Sequence, residues 1–163
     1  MQKVLAFEQF ELMETVDAWS IIALSVAIGT LVKDARPILA MSMGFAVASA
    51  SWLLMWASPS LEAAVVAMIF FAVGEAMQAP RFYEYVAALA PREQVGTFMG
   101  FAFLPVAIGA LVAGPLSGWL VARFVNGSEG PGGMWLVLSG IGFASTILML
   151  LYDRFVTPHQ EAA

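Results

Sequence analysis

The chain has 163 residues, 61% of them hydrophobic and 12% charged, and twelve acids against seven bases leave a net charge of −5. Soluble domains run near about half apolar and about a quarter charged, so this much apolar surface calls for lipid rather than a soluble core. The acidic balance excludes a nucleic-acid surface, and the absence of cysteine excludes disulfides, thiolate metal sites and a cysteine nucleophile.

In chain order, residues 1–17 ("MQKVLAFEQFELMETVD") carry four acids and lack the apolar stretch of a signal peptide, and are read as a tail or interfacial segment. Five apolar segments follow, at about residues 18–32, 37–56, 61–89, 96–125 and 134–152. A helix of about 20 residues spans the hydrocarbon layer. None of the five alternates with the period of a strand, so the expectation is an all-α membrane protein with about five transmembrane helices. Residues 153–163 form a cytoplasmic tail holding the single histidine, His159, as a solvated residue.

The third and fourth segments exceed one crossing. The 29 positions of residues 61–89 would extend about 43 Å as a helix. Pro80 is expected to kink the third segment, and Pro105 and Pro115 the fourth. The fourth also carries Gly96, Gly100, Gly114 and Gly118 in two small-xxx-small pairs, which predicts close helix packing along it. Short links separate the segments: "KDAR", "SPS" and "PREQV", then the flexible "NGSEGPGG".

Orientation is legible in two ways. Lys33, Arg36, Arg81, Arg92 and Arg154 fall on one side of a five-span topology, and Lys3 and Arg123 on the other. The positive-inside rule makes the first side cytoplasmic, with the N-terminus out and the C-terminus in. Trp19, Trp52, Trp56, Trp119 and Trp135 then map to the outer interface, and Tyr83, Tyr85 and Tyr152 to the inner one.

The third segment holds the chemistry. "GEAMQAPRFYEYVAALAP", residues 74–91, places Glu75 well inside a membrane run. A charge near mid-membrane costs about 2.5–3.5 kcal/mol on insertion scales, so it marks a function or a hydrogen bond to a neighbouring helix. On a helical wheel Gln78, Phe82 and Tyr85 share its face, as a cavity lining would. Arg81, Glu84 and Arg92 lie off that face and are read as residues of the cytoplasmic interface. No nucleophile–base pair, ligand cluster or phosphate loop points to an enzyme, and no metal or cofactor is expected.

Glu75, Ala79-Pro80, Ala90-Pro91 and Met99-Gly100 together resemble the tenth and eleventh helices of major facilitator transporters, most closely the proton-coupled oligopeptide transporter branch. The link "GTLVKDARP", with Lys33, Asp34 and Arg36, resembles the superfamily's basic cytoplasmic loop between helices eight and nine. "RFYEY" after Pro80 and the Phe101-Ala102-Phe103 run depart from that branch's pattern. The resemblance implies that the five spans are helices eight to twelve, and residues 1–17 what remains of the connection before them. It implies a plasma-membrane secondary transporter, of bacterial inner-membrane type. The implied activity is proton-coupled uptake of peptides or similar small solutes, with Glu75 matching the carboxylate used for substrate and gating. Such a chain would be incomplete without an N-terminal half, or would pair as a homo-oligomer. A non-transporting membrane subunit of a larger complex is the alternative.

Overall fold

The computed structural model describes residues 2–127 and 130–156, with side chains at residue 11, 14–127 and 130–156. All regular structure among them is helical: α1 (Gln2–Val32), α2 (Pro37–Ala57), α3 (Leu61–Leu89), α4 (Val95–Ala102), α5 (Leu104–Leu120), a π-helical turn (Val121–Val125) and α6 (Gly132–Val156). Five stretches are long and apolar enough to cross a membrane: Glu14–Val32, Pro37–Ala57, Leu61–Leu89, Val95–Val125 and Gly132–Val156. The chain is an all-helical, multi-pass membrane protein.

Local chemistry sets the helix ends. Pro37 sits in the first turn of α2, where its missing N–H leaves no bond unmade. Ser60 caps α3 by accepting the Ala63 N–H at 3.1 Å. Pro91 comes two residues after Leu89, the last of the third span, and holds the capping Ala90 extended, which stops the helix. The fourth span breaks at Phe103, between α4 and α5 and two residues before Pro105, while Pro115 remains inside α5. At the far end of that span the Asn126 N–H reaches back to the Val121 carbonyl, an i to i+5 bond that closes the π-helical turn. Gly130 then takes a left-handed φ of 78° in the turn towards α6.

Two boundaries differ from the sequence reading. The first helix starts at Gln2 rather than Ala18, so the acidic residues 2–17 continue it instead of forming a tail. They contain neither glycine nor proline to stop a helix. The last helix runs to Val156, past the expected end at Tyr152; residues 157–163, His159 among them, lie outside the described residues.

The core forms around α2, which packs against both α3 and α6, while α1 packs on α3. Gly44 of α2 and Gly74 of α3 meet backbone to backbone. Gly142 of α6 leaves room for the side chain of Ser49 of α2. Buried Ser42, Ser49 and Ser51 each return their hydroxyl to a carbonyl of their own helix, so no donor is left bare. Ser139 of α6 crosses instead, donating to the Ser49 carbonyl at 2.8 Å. Ser139→Ala is expected to cost about 0.6 kcal/mol, the usual scale for interhelical bonds in membrane proteins, read as a small shift in a detergent unfolding curve.

Aromatics mark the two ends of this core. At one end Trp52 stacks on Trp135 with centroids 5.3 Å apart and meets Phe71 at the same distance. At the other end the phenols of Tyr85 of α3 and Tyr152 of α6 approach each other. Arg36, just before α2, pairs there with Asp153 at 2.9 Å.

The fourth span stands apart from the core. It is held at its ends, where Tyr83 of α3 meets Phe103 and where Phe124 covers Gly133 of α6. Between those points Leu111 is 78% exposed, and the residues around it are open as well.

Candidate functional site

Glu75 lies half-buried on α3, between buried Gly74 and Ala76. The carboxylate of Asp17, on α1, is within electrostatic reach of it. Among the described residues, Asp17 Oδ1 is buried without a hydrogen-bond partner. Two acids, one on α1 and one on α3, therefore lie within electrostatic reach of each other in apolar segments long enough to cross a membrane. Asp17 escaped the sequence reading because it fell in the presumed tail.

The other residues on the predicted face do not converge on Glu75. Gln78 backs onto α2, with its Cβ where a side chain on Gly44 would go. Phe82 makes an edge contact with Tyr83 of its own helix at 5.6 Å. Tyr85 turns its hydroxyl to Tyr152, with Asp153 close by. All four residues are half-buried, yet three different neighbours hold them. The wheel places them together on α3, but it does not show that α2 and α6 occupy part of that face.

Arg81, expected at the cytoplasmic interface, has a buried guanidinium. It donates from Nη2 to the Val32 carbonyl at the end of α1 and from Nη1 to Glu84 Oε2 at 2.6 Å. Lys33 and Asp34 are exposed in the loop after α1.

The close packing predicted for Gly96, Gly100, Gly114 and Gly118 is not made within the chain: a Cβ at any of them would meet nothing within 4 Å. The glycines that do pack closely are Gly44, Gly74 and Gly142. Gly100→Leu is accordingly expected to leave the stability of the isolated chain within about 0.5 kcal/mol of wild type in a thermal melt in detergent. A hollow of about 520 Å³ opens beside the α4–α5 break, lined by Thr97, Gly100, Phe101, Phe103, Leu104 and Ala107. It contains no charged group and does not include Glu75. Among the described residues no three His, Asp or Glu side chains gather into a metal-holding group.

The sequence profile of the Major Facilitator Superfamily matches residues 3–163. No curated protein and no solved structure matches the chain.

Proposed function

The chain belongs to the major facilitator superfamily of membrane transporters, and from that membership we propose that it is the C-terminal part of a secondary active transporter driving proton-coupled uptake of peptides or similar small solutes. Its five spans correspond to helices eight to twelve, with the Arg36–Asp153 end in the cytoplasm and the Trp52–Trp135 end outside, in the plasma membrane. Glu75 carries the reading. It is a carboxylate within an apolar helix, with a second acid in electrostatic reach and no ion pair to a base among the described residues, as suits a group that exchanges a proton or grips a cationic solute. Transport sites in these folds lie between two halves near the midplane, so a partner half completes the cavity in front of Glu75. The uncovered fourth span is also what a non-transporting subunit of a larger complex would present.

The test is proton-driven uptake of a labelled dipeptide into vesicles holding this chain, with and without a co-expressed N-terminal half from a related transporter. Uptake that requires both halves supports the proposal. Failure despite demonstrated co-assembly removes peptide transport and leaves another solute or the subunit reading.

A further inference from the structure

A charged side chain buried between two helices needs partners for every donor it brings. Arg81 has two, from different directions: the Val32 carbonyl of α1, 49 residues away in sequence, and Glu84 one turn further along its own helix. Val32 is the last residue of α1, where the helix dipole is negative, and its carbonyl also accepts the Ala35 N–H at 3.1 Å. The guanidinium thus ties the end of α1 to α3.

The position of that tie on α3 matters. Arg81 directly follows Pro80, which lies inside the helix and has no N–H to give to the Ala76 carbonyl. The α3 ladder is interrupted just above the tie, and the stretch from Arg81 to Leu89 is joined to the rest of the helix by fewer bonds than an ordinary turn. A helix weakened at one proline bends there unless something outside the helix fixes its lower part. We infer that Arg81 is a releasable latch, holding the segment of α3 beyond Pro80 against the end of α1 and letting it swing about the proline when the Val32 bond opens.

Glu84 makes release feasible. Its carboxylate is exposed, with 57% of the side chain accessible, against 8% for Arg81. Because Glu84 sits at i+3 on the same helix, the ion pair travels with α3 when the latch opens, and the guanidinium is never left without a counter-charge. Opening then costs one charge-assisted bond, and the Val32 carbonyl keeps the Ala35 N–H. The remaining ties at this end, Arg36 to Asp153 and Tyr85 to Tyr152, join other helix pairs and leave α1 free of them.

Amide hydrogen exchange on the full chain in lipid nanodiscs tests the latch. Arg81→Met keeps the apolar stem and removes both bonds, and it is expected to speed exchange about tenfold in peptides covering residues 29–36 and 81–90, with residues 40–50 unchanged. Glu84→Gln keeps the Val32 bond and should leave residues 29–36 as protected as in wild type. Adding Pro80→Ala to Arg81→Met restores the helix ladder and should return residues 81–90 to within about threefold of wild type. Unchanged exchange in Arg81→Met overturns the latch, as does equal loosening by Glu84→Gln. A double variant as loose as Arg81→Met alone overturns the hinge. Should Arg81→Met not fold, Arg81→Lys, which keeps one donor, is expected to give intermediate protection at residues 29–36. Wild-type protection in Arg81→Lys counts against the latch.

Discussion

Gly74→Ala is expected to separate α2 from α3 and to destabilise the chain more than any other single-methyl change. A Cβ at Gly74 would lie 2.5 Å from the Gly44 carbonyl oxygen, 2.8 Å from the Ala48 nitrogen and 2.9 Å from the Ala48 Cβ. Two of those three atoms are backbone and cannot rotate away, so the helices themselves must move. Overpacking of this kind costs about 1–3 kcal/mol, and the better helix propensity of alanine returns no more than about 1 kcal/mol of it. Moving α2 outwards also disturbs its other face, where Ser49 lies under Gly142 and Trp52 stacks on Trp135. Gly44→Ala meets the Gly74 carbonyl oxygen at 2.6 Å and should behave alike. Once one methyl has parted the helices the second meets less resistance, so the double variant should lose less than the sum of the two. Unfolding in graded denaturing detergent, followed by tryptophan fluorescence, measures all three. A Gly74→Ala chain as stable as wild type would mean that the two backbones are not in contact.

Glu75→Gln is expected to separate function from stability. The amide has nearly the same shape as the carboxylate and is cheaper to hold inside a membrane, so the folded chain should melt at or above the wild-type temperature. Uptake by the chain assembled with a partner half should fall by more than about tenfold. Truncating a desolvated charge that grips a ligand removes about 2–5 kcal/mol of interaction, and each 1.4 kcal/mol is worth a factor of ten. Asp17→Asn is the companion, because its carboxylate lies within reach of Glu75 and has an oxygen with no partner among the described residues. It too should leave the melt unchanged or raise it. If Glu75→Gln lowers the melting temperature while leaving uptake within about twofold, the carboxyl is a packing hydrogen bond and the transport reading of it is wrong.

The spans were legible because lipid imposes a simple rule on composition. "KDAR", "SPS" and "PREQV" interrupt the apolar runs where the helices end, and Pro37 and Pro91 act as local stereochemistry requires. Partners were harder to read than spans. Small residues at i and i+4 show that a helix can be approached closely, not which neighbour does so. The pattern Gly96-xxx-Gly100 stands open, while Gly44, flanked at four residues by Ala40 and Ala48, meets Gly74. The same limit hid the Arg81 contact. A wheel of α3 gives the direction of the side chain, but its acceptor belongs to a helix 49 residues away. The extent of α1 was missed for a different reason, because charge was taken as a sign of tail when nothing in residues 2–17 stops a helix.

The fourth span intervenes in sequence between α3 and α6 yet contributes little to the packing that joins them. This has a consequence for how the chain is made. When α3 leaves the ribosome α2 has one of its two neighbours, and the other, α6, is not synthesised until the 31 residues of the fourth span have passed. Throughout that interval the Ser49 carbonyl faces lipid without the hydroxyl of Ser139, and the notch opposite Gly142 stays empty. Completion of the core is therefore a late event that waits for α6. Premature stops between α3 and α6 should yield inserted but incompletely assembled chains, the form that membrane quality-control proteases recognise.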